Sequence, residues 1–94
     1  MIQSFADPET ERIWAGQRSR KLPPDIQAAA LRKLRLINNA RVLQDLRVPP
    51  RNRLEALKGD RGGQHSIRIN DQWRICFEWH AGGPSNVGIV DYHD

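Results

Sequence analysis

The chain has 94 residues, a length that fits one domain and leaves no room for a second. With 38% hydrophobic and 28% charged residues it reads as globular rather than disordered, and its single cysteine, Cys76, excludes an intrachain disulfide and a thiolate-rich metal site. Lys and Arg number 15 against 11 Asp and Glu, and the net charge of +4 tilts the chain toward polyanionic partners such as nucleic acid.

The opening, Met1 to Asp7, lacks the basic stretch and following apolar run of a signal peptide, and no apolar run approaches the roughly 20 residues that span a bilayer. A cytoplasmic protein with no membrane partner is therefore expected. Ile2 to Phe5 reads as a short edge strand. Asp7-Pro8-Glu9 is a helix start, with Asp as N-cap, Pro at the first helical position and Glu near the positive end of the dipole. That helix carries Ile13 and Trp14 and should fail near Gly16. A polar connector follows, holding Arg18, Arg20 and Lys21 and punctuated by Pro23 and Pro24. Ile26, Ala30, Leu34 and Ile37 then form the apolar stripe of a second helix running from Pro24 to Ala40.

Val42 to Asn52, with Pro49-Pro50, should be irregular apart from a helical turn near Val42 to Leu46. Leu54 to Lys58 is ambiguous, with strand the better reading because it precedes Gly59-Asp60-Arg61-Gly62-Gly63. Ser66 to Asn70 and Trp73 to Trp79 alternate as strands about an Asn70-Asp71-Gln72 turn. Gly82-Gly83-Pro84 marks a second, longer turn before a last strand from Asn86 to Val90. Helices first and strands afterwards predict an α+β fold, a helical hairpin laid on one face of a twisted antiparallel sheet.

Period-2 parity sends Trp73, Ile75, Phe77 and Trp79 toward the helices and leaves Arg74, Cys76, Glu78 and His80 on the open face. Arg68 and Arg74 then share one side of a hairpin, where like charges repel unless an anion sits between them. At the C-terminal end, Asp91-Tyr92-His93 brings together an acceptor, a phenol and an imidazole of the kind that titrates near neutrality. From chemistry alone these residues read first as a frayed polar tail and only second as part of an active site. The segment Lys58-Gly59-Asp60-Arg61 either offers amides and cations to a phosphate or is an ordinary turn. His65, His80 and His93 do not recur at metal-ligand spacing, so no metal is expected.

Taken in order, Met1-Ile2-Gln3-Ser4-Phe5, Leu57-Lys58-Gly59-Asp60-Arg61, Ser66 to Arg74 and Val90-Asp91-Tyr92-His93 resemble the HigB branch of the RelE/ParE superfamily of bacterial toxins over nearly the whole chain. The resemblance implies a microbial-ribonuclease-like fold and metal-independent, cofactor-free cleavage of messenger RNA on the translating ribosome. It also implies neutralisation by a HigA-like helix-turn-helix antitoxin, through which alone DNA would be engaged. Carried over, the catalytic set is Arg74, Asp91, Tyr92 and His93, with Lys58 and Arg61 near the RNA backbone. Arg68, Arg20 and Lys21 are further candidates for phosphate contact. Some members carry a histidine just before the Lys-Gly-Asp-Arg segment; Glu55 stands there in this chain, so the candidate general base is Glu55 or His93.

The chemistry is coherent without the resemblance. Metal-free RNA cleavage needs a base for the 2′-hydroxyl proton, cations for the charge gathering on phosphate oxygens, and an acid for the leaving 5′-oxygen. Arg74 can bind phosphate bidentately, His93 can serve as acid or base, Tyr92 can stack on a base or orient the phosphate, and Asp91 can orient either neighbour. Two other readings are a ParE-like inhibitor of DNA gyrase on the same fold, and a non-catalytic RNA- or ribosome-binding module.

Overall fold

In the computed structural model residues 1–92 are described. They form helices α1 (Pro8–Trp14) and α2 (Pro24–Asn39), then strands β1 (Glu55–Ala56), β2 (Gln64–Arg68), β3 (Trp73–His80) and β4 (Gly83–Asp91). The strands make one antiparallel sheet in the order β1-β2-β3-β4. The α+β expectation is met: both helices pack on the sheet and on each other.

Local chemistry explains the helix boundaries. The Asp7 backbone is extended and its Oδ1 accepts the Thr10 N–H at 2.7 Å, with Pro8 supplying the fixed φ of the first helical position. Gly16 ends α1 at φ +80°, a conformation that a side chain would strain. On α2, Ile26, Ala30, Leu34 and Ile37 are buried at helical spacing against Ile67, Ile75, Phe77, Val87 and Ile89 of the sheet. Each large apolar side chain buried there contributes about 1.5–3 kcal/mol relative to exposure. A polar peg joins the layers: the buried Thr10 Oγ1 accepts the Ile89 N–H at 2.9 Å and donates to Asp7 Oδ2 at 3.0 Å.

Between α2 and β1 lie 3₁₀ turns at Leu43–Arg47 and Pro50–Asn52, and a third at Gly59–Arg61 joins β1 to β2. Asp45 caps the first, accepting the Arg41 and Val42 N–H groups at 2.8 and 3.2 Å. The buried Asn52 fastens this segment to α2. Its Oδ1 accepts from Lys33 Nζ at 2.5 Å, and its Nδ2 donates to the carbonyls of Leu46 and Val48.

Four boundaries differ from the sequence reading. Ile2 to Phe5 forms no regular strand; it runs along β4 through the backbone bonds Gln3 N–H to Pro84 C=O and Val87 N–H to Ser4 C=O, with a single parallel bridge from Phe5 to Val87. The ambiguous Leu54 to Lys58 segment contributes only the two residues of β1. β2 begins at Gln64 and stops at Arg68, because Asn70 Oδ1 accepts the Gln72 and Trp73 N–H groups and turns the chain out of the ladder. Finally, Gly83 and Pro84 belong to β4, paired with His80 and Trp79, which leaves Ala81-Gly82 as the turn. Pro84 is tolerated because the next neighbour on that side is the N-terminal segment, which takes its carbonyl and needs no N–H. The register of β3 and β4 also slips between Cys76 and Glu78, where β4 carries an extra residue and Asn86 adopts φ +52°.

Candidate functional site

The sheet register arranges the open face in rows. Glu55, Ser66, Cys76 and Gly88 stand in line across the four strands. Arg68, Arg74 and Val90 form the next row. Arg68 and Arg74 are thus direct cross-strand partners, an arrangement that repels unless anions separate the guanidinium groups. Arg68 is drawn aside by an ion pair with Asp71 in the hairpin turn.

Arg74 is held differently. Its side chain is 11% exposed, and its Nε donates to the buried Ser66 Oγ at 2.7 Å. Nη2 donates to the Arg53 carbonyl at 2.6 Å and lies 3.6 Å from Glu55 Oε1. Its guanidinium carbon stands 5.6 Å from the centre of the Tyr92 ring, within cation–π range. These contacts lock the plane of the group and leave Nη1 without a partner among the described residues. A guanidinium fixed on one edge with donors open on the other is prepared for an oxyanion. Around it lies a cleft of about 420 Å³, lined by Arg53, Glu55, Arg68, Asn70, Asp71, Arg74 and Tyr92.

Of the residues singled out in the sequence, the cleft gathers Arg74, Glu55, Arg68 and Tyr92. Asp91 pairs with Trp73, so strand alternation carries its side chain to the face opposite Arg74, and Gln72 Nε2 donates to its two carboxylate oxygens at 3.2 and 3.1 Å. His93 lies outside the described residues. Lys58 is exposed just before the Gly59–Arg61 turn. Arg61 lines a neighbouring hollow of about 400 Å³ with Gln64, Cys76, Gly88 and Val90, and donates to Gln64 Oε1 at 3.3 Å. Arg20 and Lys21 are remote from this group in lining, sharing a separate basic cleft of about 580 Å³ with Arg12, Arg18 and Glu9. The connector that presents them is ordered by the buried Ser19, whose Oγ donates to Glu9 Oε1 at 2.7 Å.

Cys76, which parity leaves on the open face, is only 2% exposed, and burial pushes its thiol pKa up despite the nearby Arg61 and Arg74 charges. It is therefore a packed thiol rather than a thiolate. At the far end of β3, Glu78 accepts from Asn86 Nδ2 at 2.9 Å and meets His80 Nε2 at 2.9 Å; these hydrogen bonds hold its carboxyl below the usual range. Among the described residues no group of three or more His, Cys, Asp or Glu is placed to share a metal ion. No helix among them is long and apolar enough to cross a membrane.

The sequence reading missed Ser66, Arg53 and Gln72. Ser66 carried a signal in principle, since register with Cys76 puts its hydroxyl beside the Arg74 stem. Arg53 had none, because it acts through its carbonyl, aimed by a left-handed backbone at φ +45° and ψ +55°.

A two-helix layer on a four-stranded antiparallel sheet is an α+β arrangement that fits a RelE-like fold. The family profile described as RelE-like toxin of type II toxin–antitoxin system HigB matches residues 3–93. The chain is 40% identical over 94 residues to Toxin HigB-1 of Vibrio cholerae serotype O1 (strain ATCC 39315 / El Tor Inaba N16961), covering 99% of this chain and 98% of that protein. It is 32% identical over 92 residues to an uncharacterized protein of Haemophilus influenzae (strain ATCC 51907 / DSM 11121 / KW20 / Rd), covering 97% and 90% of the two chains. The chain belongs to the HigB-like family of type II toxins, whose members act in pairs with an antitoxin.

Proposed function

We propose that this toxin is a ribosome-dependent, metal-independent endoribonuclease of the cytoplasm that cleaves messenger RNA by attack of a 2′-hydroxyl on its own phosphate. The observation that carries the reading is the fixed Arg74 guanidinium, its Nη1 unpartnered among the described residues, in a cleft that also holds Glu55 and Tyr92. Arg74 stabilises the charge that grows on the phosphate oxygens. Glu55 takes the 2′-proton, and His93 gives one to the leaving 5′-oxygen. Tyr92 stacks on a base or orients the phosphate, while Asp91 orients the end of the chain. Arg68, Lys58 and Arg61 hold the RNA backbone near the cleft, and Arg20 and Lys21 hold a more distant stretch.

Dependence on the ribosome fits this chemistry. A carboxylate is a weak base toward a hydroxyl, so an RNA already bent into in-line geometry by another scaffold recovers rate that the cleft alone lacks. A HigA-like helix-turn-helix antitoxin neutralises the toxin, and contact with DNA runs only through that partner.

The test is cleavage of an mRNA programmed on purified ribosomes, mapped by primer extension, with a gyrase supercoiling assay beside it. New 3′ ends that require both ribosomes and Arg74 support the reading. Inhibited supercoiling with intact mRNA would replace it with a gyrase-directed toxin, and ribosome binding without cleavage with a non-catalytic module.

A further inference from the structure

Tyr92 is useful over Arg74 only if the chain end that carries it is held still. β4 ends at Asp91, and Tyr92 lies beyond the last strand pair. What holds it is an exposed residue of the β2–β3 turn. The Gln72 carbonyl accepts the Tyr92 N–H at 2.7 Å, and its amide nitrogen donates to both Asp91 oxygens at 3.2 and 3.1 Å. Gln72 is in turn set by Asn70, whose Oδ1 accepts the Gln72 N–H at 2.9 Å. Gln72 is exposed, so the bonds from its side chain to Asp91 are not by-products of core packing.

We infer that Gln72 is a positioning residue. With Asp91 it forms a clamp that fixes the end of β4 to the hairpin turn and thereby keeps the Tyr92 ring over the Arg74 guanidinium. Asp91, on the opposite face from Arg74, takes part through this clamp. One turn then serves both walls of the cleft: Asp71 steers Arg68 and Gln72 steers Tyr92. The inference rests on the proposed nuclease reading for its catalytic consequence, but not for its structural one.

The experiment compares wild type, Gln72→Ala, Gln72→Glu and the exchange pair Gln72→Glu with Asp91→Asn, which restores an amide–carboxylate contact with the partners swapped. Each protein is measured for heteronuclear NOE at the Tyr92 amide, with the Ile75 to Phe77 amides as the reference for an intact sheet. Each is also measured for kcat and KM in ribosome-programmed cleavage. Gln72→Ala should loosen Tyr92 and lower kcat about 10–100-fold, the scale of a catalytic group displaced by about 1 Å, with KM little changed. Gln72→Glu should be worse, since two carboxylates then face each other, and the exchange pair should regain order and most of kcat. A rigid Tyr92 in Gln72→Ala, or an exchange pair no better than Gln72→Glu alone, would overturn the clamp. If wild type cleaves no RNA, the nuclease reading falls and the NOE series alone decides the clamp.

Discussion

On β3, Ile75 and Phe77 are sealed beneath the helices, while Arg74, one residue earlier, looks out from the opposite face into an open polar cleft. The helix-side face of the sheet is nearly all carbon: Ile67, Ile75, Phe77 and Ile89 meet Ile26, Ala30, Leu34 and Ile37. The open face is a lattice of donors and acceptors, Glu55, Ser66, Arg68, Arg74 and Tyr92, built from the same strands by alternation. The contrast separates a packed parity from a polar one on a single sheet, and the proposed function places its chemistry on the second. Substitutions on one face should therefore change folding with the site intact, and those on the other should change activity with the fold intact.

The hardest test of the helix-side face is Phe77→Ala. The ring is fully buried, and removing it from a core this small should cost about 3–5 kcal/mol. That is comparable with the lower end of the roughly 5–15 kcal/mol that holds a typical domain together. Urea unfolding followed by circular dichroism should show a midpoint moved sharply toward zero urea. An unchanged midpoint would break the division of labour.

Arg74→Ala probes the other face. It should slow cleavage about 10²–10³-fold through lost charge stabilisation in the transition state. Its cost to folding should be about 1.5–3 kcal/mol, from the charge-assisted hydrogen bond to Ser66. Full cleavage by a folded Arg74→Ala protein would place the chemistry elsewhere.

Thr10→Val sharpens the comparison at the seam between layers. The substitution keeps the shape but deletes the hydroxyl that accepts the buried Ile89 N–H. An unpaired buried donor should lower stability by about 1–3 kcal/mol. Cleavage at a permissive temperature should be unaffected, because Ile89 points away from the cleft. A parallel loss of kcat would show that the faces communicate through β4.

Much of this division is legible in the amino-acid order. The alternation from Trp73 to Trp79 separates the two faces, and the stripe of Ile26, Ala30, Leu34 and Ile37 marks the face that α2 buries. Asp7-Pro8 announces α1 because capping is a local matter. Glu55 and Arg74 are 19 positions apart, by contrast, and meet only through the β1–β2–β3 register, which no local pattern dictates. The Asn52 anchor on Lys33 is of the same kind: an exposed-looking Asn and Lys become a partly buried tie once the 3₁₀ segment folds onto α2. Desolvation there lowers the Lys33 pKa, helped by the neighbouring Arg32 and Arg51 charges. Asp91 shows where parity reasoning needed one more step. In a strand ending at Asp91-Tyr92 both residues cannot face Arg74, and the register with Trp73 selects Tyr92.

The smallest expected effect concerns acid, and it again separates the faces. The helix-side core holds no carboxylate, so its contribution should not depend on pH in the acidic range. Glu78 on the open face and Asp45 in the loop differ: hydrogen bonds from Asn86 and His80 lower the first, and backbone N–H groups of Arg41 and Val42 lower the second. A carboxyl whose folded pKa lies below its unfolded value binds fewer protons folded than unfolded. Its stabilisation is therefore complete above the ordinary carboxylate range and drains away as pH falls through the folded value. Stability from these two groups should be flat between about pH 7 and about pH 5 and decline below about pH 4. The decline should be shallow, because Asp45 is exposed and Glu78 only half-buried, so water screens both. Glu78→Gln and Asp45→Asn should each remove part of the slope, and the double variant more, in urea midpoints measured across that range. Curves that fall as steeply in the double variant as in wild type would mean that other carboxyls carry the acid sensitivity. A slope that disappears on replacing Phe77 with leucine would locate it, against expectation, in the packing beneath the sheet.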